Sequence, residues 1–110
     1  MEINSILEKA FKDYKLPIAF QHYDGKANQF LTYYTYSTVF ENAVDDEFTN
    51  EIKYGTLDIY SKKNYIEIIE DVKRILKENG FTVTDLGIED YEKDTGLYHV
   101  PVNFYYEGGI

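Results

Sequence analysis

The chain has 110 residues, no cysteine, and 20 acidic against 11 basic side chains, for a formal net charge of −9. Disulfides, thiolate metal centres and cysteine nucleophiles are excluded, and wrapping of nucleic acid is disfavoured because phosphate affinity comes from basic side chains. One domain of this length can bury roughly two thirds of its unfolded surface.

The opening segment, residues 3–14, predicts a helix: Ile3, Ile6, Leu7, Ala10, Phe11 and Tyr14 recur at steps of three and four. Ser5 and Glu8 have capping-box spacing, and Leu16-Pro17 stops the helix because a residue before proline is pushed out of the helical region. The segment is charged and amphipathic without the apolar core of a secretory leader. No run approaches the roughly 18 apolar residues of a membrane span. The expectation is a soluble intracellular product with no membrane partner.

A strand follows over 18–23, closed by the turn signal Asp24-Gly25-Lys26. A second strand, 29–37, carries Phe30, Thr32, Tyr34 and Tyr36 on one face and Leu31, Tyr33 and Thr35 on the other. Neither face is plainly polar, which points to contact on both sides. Residues 38–50 read as a polar, acidic loop suited to change on assembly, in which Val39, Phe40, Val44 and Phe48 would anchor on a partner beside Asp45 and Asp46. The third strand, 51–61, alternates Leu57 and Ile59 against Tyr54, Thr56, Asp58 and Tyr60.

The second helix begins near Asn64 and Glu67 in capping-box-like spacing and presents Ile68, Ile69, Val72, Ile75 and Leu76 on one stripe. Its acids precede its bases, as the helix dipole favours. Glu70 and Arg74 are spaced for an i,i+4 pair, and Asn79-Gly80 supplies a left-handed end. A closing hairpin joins 81–92 to 97–107 through Lys93-Asp94-Thr95-Gly96, with Gly96 at the positive-φ position. Val100, Val102, Phe104 and Tyr106 share one face of the last strand; His99, Pro101, Asn103 and Tyr105 share the other. Pro101 cannot donate to a ladder, so there the strand must be an edge or pair on one side only. The order predicts an α+β domain: a mostly antiparallel β-sheet with two helices packed on one face, the other face bearing Thr and Tyr and left exposed or shared.

Chemistry-bearing patterns are sparse. His22 and His99 have no metal-ligand spacing with nearby acids, and Asp45-Asp46-Glu47 lacks the glycine-bearing pattern of a calcium loop. Ser5, Ser37 and Ser61 sit in no nucleophile elbow, and no glycine loop cradles phosphate. Carboxylate pairs such as Glu89 and Glu92 carry no discrimination in so acidic a chain. The expectation is no enzyme, no metal and no cofactor. Twelve tyrosines without tryptophan are a stronger signal, since tyrosine has an apolar body and a polar tip and suits half-buried sheet faces and subunit contacts. Tyr14 and Tyr65 belong to helix packing; Tyr33, Tyr34, Tyr36, Tyr54, Tyr60, Tyr98 and Tyr105 are the candidate interface.

The runs "LDIYSKKNYIEIIEDVKRILKENGF" (57–81) and "EDYEKDTGLYHVPVNFYYE" (89–107) resemble the tail-completion proteins of long-tailed phages and prophages, also called tail terminator or tail-to-head joining proteins. The likeness rests on Asp58-Ile59-Tyr60-Ser61-Lys62 entering Asn64-Tyr65, on Gly80-Phe81, and on the Tyr91-Glu92, Asp94-Thr95 and Leu97-Tyr98-His99 hairpin. It departs at Val100-Pro101 and Asn103, where such sequences often carry basic residues. The resemblance implies a ring, typically a hexamer, at the head-proximal end of the tail tube. Its partners would be itself, the major tail tube protein and a head-completion or connector protein. Such a protein would assemble in the host cytoplasm and remain in the virion. DNA would pass through without specific binding, as a repelling acidic lumen allows. The alternative from another class is an acidic inhibitor or DNA mimic that binds a host nucleic-acid enzyme.

Overall fold

The computed structural model describes residues 3–41 and 50–109. In chain order these form α1 (Ile3–Ala10), β1 (Ile18–Phe20), β2 (Gln29–Glu41), β3 (Asn50–Ser61), α2 (Ile66–Glu78), β4 (Phe81–Leu86), β5 (Asp90–Glu92) and β6 (Leu97–Gly109). The sheet order is β1-β2-β3-β6-β4, and β5 pairs the start of β6 beyond the end of β4. This is an α+β fold with a six-stranded, mostly antiparallel sheet.

Both helices lie on the same face. Alternation along β2, β3 and β6 sends Leu31, Tyr33, Leu57, Ile59, Val100, Val102 and Phe104 to that side, where they are buried. They meet Ile3, Leu7 and Phe11 from the α1 segment and Ile68, Ile69, Val72, Ile75 and Leu76 from α2. The chain leaving α1 is fastened to α2 by the Tyr14 hydroxyl, which donates to Asp71 at 2.8 Å. Lys15 adds an exposed ion pair with Glu67 at 3.1 Å. Burial first, and then the Asp71 carboxylate, push the Tyr14 phenol well above its ordinary pKa.

Several local expectations are corrected. The first helix ends at Ala10 and continues as turns in which Lys12 and Tyr14 donate to carbonyls three residues back. Residue 5 already lies inside α1, so Ser5 does not cap it; Glu8 instead accepts the Tyr33 hydroxyl at 2.5 Å. At α2, Asn64 Oδ1 accepts the Ile66 amide at 2.9 Å. Arg74 pairs with Asp71 and Glu78, not Glu70, which meets Lys73. As expected, Gly80 and Gly96 both take positive φ, 88° and 72°, where the helix and the last hairpin turn.

The largest difference concerns β1 and the loop expected over 38–50. Asp24-Gly25-Lys26 does not close a hairpin: β1 runs parallel to β2, with Ile18, Ala19 and Phe20 opposite Leu31, Thr32 and Tyr33. The reversal occurs at Gln21, at φ 62°, where His22 N–H donates to the Phe20 carbonyl across a γ-turn. Residues 22–28 then double back to the start of β2. The strands also run further than periodicity suggested, because β2 pairs β3 from Gln29 opposite Ser61 to Glu41 opposite Asn50. Phe40 therefore stands in a strand. Val44, Asp45, Asp46 and Phe48 lie outside the described residues. The three long strands account for the elongated shape, 52 × 27 × 24 Å.

Pro101 pairs on one side only, although β6 is an internal strand. It opposes Asp58 of β3, while its other side falls in the gap between β4 and β5. There the Gly87 amide donates to the Pro101 carbonyl at 2.8 Å. A residue's amide and carbonyl point to the same side of a strand, so the missing donor faces an interruption and no ladder bond is lost.

Candidate functional site

The face opposite the helices is where the fold leaves unusual side chains together. Register places Phe30, Tyr60 and His99 in one row across β2, β3 and β6. The doubled-back segment 22–28 lays Tyr23 over the end of that row. The result is a stack of four rings. Successive centroids lie 4.4 Å (Tyr23–Phe30), 4.9 Å (Phe30–Tyr60) and 4.5 Å (Tyr60–His99) apart, with planes tilted by 24°, 15° and 5°.

One row along, Asp58 is 7% exposed, and its Oδ1 lies 2.7 Å from His99 Nε2. The hydrogen bond to Asp58 raises the His99 pKa above the ordinary imidazole value; partial burial opposes it, while the charges of Asp58, Glu92 and Asp90 add to it. The cation so favoured lies flat against Tyr60, whose negative ring face attracts it. Burial, and then Asp58 and Glu92, raise the Tyr60 phenol above its usual pKa. Further along, Thr56 donates to Asn103 Oδ1 at 2.8 Å, and Asn103 donates to Asp85 at 3.2 Å. The buried polar groups of this face therefore satisfy one another.

Beyond that polar band the face turns aromatic. Tyr34 and Tyr36 lie 5.6 Å apart, and Tyr54 and Tyr105 5.9 Å apart. Tyr36 is the extra residue of a bulge between Thr35 and Ser37 and is 58% exposed. Tyr34 is exposed, and Tyr54 and Tyr105 are half-buried. Of the seven tyrosines expected at an interface, these four form a patch and Tyr60 lies inside the ring stack. Tyr33 is a correction: at 1% exposure, bonded to Glu8 beneath α1, it is core. Tyr98 lies apart from the patch. It is half-buried on the helix side, packed against Tyr65 and Tyr91. The alternation that placed the other five on one face also places these two on the opposite face.

His99 and Asp58 were missed as a pair. Alternation already assigned each to the second face, but only the β3–β6 register brings them together.

A shallow cleft of about 290 Å³ is lined by Gln21, His22, Tyr23, Phe30, Thr32, Tyr60, Glu92 and Leu97. Among the described residues, no serine or threonine hydroxyl is bonded to the His99–Asp58 pair. Among the described residues no cluster of three His, Asp or Glu side chains could hold a metal ion, and no helix is long and apolar enough to cross a membrane. Compared with protein-family models and with curated proteins, the chain matches none.

Proposed function

We propose that this protein is a structural subunit of phage or prophage tail assembly. It self-associates into a ring, with six copies as the expected number, caps the head-proximal end of the tail tube, and offers a surface to the head connector. The observation that carries this reading is the one-sided packing of the sheet. Helices cover one face, while the other presents Tyr34, Tyr36, Tyr54 and Tyr105 toward solvent. Tyrosine-rich patches of this kind supply contact energy between proteins, because each ring buries a large apolar area and keeps a hydroxyl for the rim. The sequence resemblance adds support for the tail as the setting.

No covalent step is required of such a subunit. The free energy comes from surface buried between copies and against the last ring of tube protein. The charge of −9 per copy suits a channel through which DNA moves, because repelled phosphates slide where basic side chains would hold them.

The test is electron microscopy of particles from cells in which the gene is deleted. Tails of uncontrolled length, or tails without heads, are the expected outcome. Normal virions would end the proposal.

A further inference from the structure

We infer that copies of this chain join edge to edge, the outer edge of β2 of one pairing antiparallel with the outer edge of β4 of the next. This rests on the self-association proposed above and specifies its surface.

On the outer side of β2, β1 covers only Leu31 to Tyr33. From Tyr34 to Glu41 that edge has no partner strand among the described residues. Its sequence, "YTYSTVFE", is aromatic and β-branched, without the lysine or proline that protects most edges; the bulge at Tyr36 is its one irregularity. At the opposite margin, β4 has β6 on one side and no strand on the other. A cleft of about 290 Å³ runs beside that free edge, lined by Phe81, Thr82, Val83 and the α2 lysines Lys73 and Lys77.

Hydrogen-bond direction fixes which residues would pair. Leu31 N–H donates to Pro17 and the Tyr33 carbonyl accepts from Gln21, so these β2 residues turn their peptide groups outward. Past the bulge, Ser37 opposes Tyr54, two places from Thr56 along β3. Ser37 therefore faces inward, and Thr38 and Phe40 turn their amides outward, where they have no partner among the described residues. On β6, the Pro101 carbonyl points toward the β4 side, and so do the peptide groups of Asn103 and Tyr105. Thr82, opposite Tyr105, faces inward, and Phe81 and Val83 present theirs outward.

Outward residues exchange bonds with outward residues, and the register that uses both of them on each edge sets Thr38 opposite Val83 and Phe40 opposite Phe81. The faces then agree as well. Positions 38 and 40 oppose Lys53 and Glu51, in line along β3 with Leu57 and Ile59, while Phe81 and Val83 oppose Tyr106 and Phe104. All four positions belong to the helix-covered face. Strand direction also fits, because β4, β6, β3 and β2 alternate. A second β4 beside β2 is antiparallel when both copies keep their helices on one side. That is a head-to-tail contact, the kind that generates a ring when its rotation closes. Charge favours β4 over a second β2 as the partner. β2 leads into Glu41 and Asp45-Asp46-Glu47, and the β4 edge lies beside Lys73 and Lys77.

The chain has no native cysteine, so single cysteines report the contact cleanly. Thr38→Cys and Val83→Cys proteins of different tag lengths are mixed and oxidised, since directly bonded antiparallel partners lie about 5.5 Å apart, within the roughly 4.4–6.8 Å that a disulfide spans. Mixed dimers at least tenfold in excess of either homodimer are expected. In parallel, Thr38→Pro removes an outward amide without breaking a β2–β3 bond, and by size-exclusion light scattering it is expected to be monomeric with an unshifted circular dichroism spectrum. Homodimers of Thr38→Cys alone, a wild-type chain monomeric at every soluble concentration, or wild-type assembly by Thr38→Pro each overturn the inference. If mixed dimers form yet virions lacking the protein are normal, the strand pairing stands and the tail role falls.

Discussion

Replacing Asp58 with alanine tests the electrostatics of the second face most directly. Asp58 is 7% exposed, and its carboxylate lies 2.7 Å from the His99 imidazole. A hydrogen bond to a charged group contributes about 1.5–3 kcal/mol. The lower part of that range applies, because His99 is only half-buried and can shed its proton once its partner is gone. We therefore expect a loss of about 2 kcal/mol. With about 2.1 cal/mol/K of unfolding entropy per residue, that lowers the Tm by roughly 9 °C for a chain of this size.

The pH dependence sharpens this expectation. The folded-state pKa of His99 is raised, so its contribution is fully present below the unfolded value of about 6.5 and is lost as pH rises through the folded value. Melting followed by circular dichroism at a series of pH values, for wild type and Asp58→Ala, isolates the pair in the difference between the two curves. That difference should be largest near pH 6 and shrink above the raised imidazole pKa. Curves that differ by a constant amount across this window, or not at all, would refute the assignment of the shift to Asp58.

Three further outcomes follow from the packing. Leu57→Ala, fully buried between the helices and the sheet, should cost about 2–5 kcal/mol in chemical denaturation; a loss under about 1 kcal/mol would mean the core is not where we place it. Gly55→Ala would put a Cβ 2.6 Å from the Tyr34 carbonyl oxygen and 2.7 Å from Phe104 Cζ, so a cost of about 1–3 kcal/mol is expected by the same assay, and a neutral variant would contradict the close approach. Gln21→Gly should be neutral to about 1 kcal/mol stabilising, since glycine accepts φ 62° freely, whereas Gln21→Val should lose about 1–2 kcal/mol; equal stability of the two variants would rule out the left-handed turn.

Much of this architecture could be read from residue order alone. Period-3.6 stripes marked α1 and α2, and period-2 alternation sorted residues 30–36 of β2, 54–60 of β3 and 99–106 of β6 between the two faces. The one-sided pairing at Pro101 followed from its missing amide, and the positive φ of Gly96 from the length of the hairpin turn. These are properties of the local chain, where backbone geometry and solvent preference act within a few residues.

Tertiary structure decided the rest, because it depends on which segments meet. The parallel course of β1 rests on one left-handed residue, Gln21, and on Tyr23 finding Phe30 to stack against. The pairing of His99 with Asp58 needs a register between residues 41 positions apart. Tyr33 and Tyr34 are adjacent and chemically identical, yet one is sealed beneath α1 and the other faces solvent. Composition cannot separate them; only the placement of helices on a single side of the sheet does, since burial belongs to the assembled layers and not to the residue.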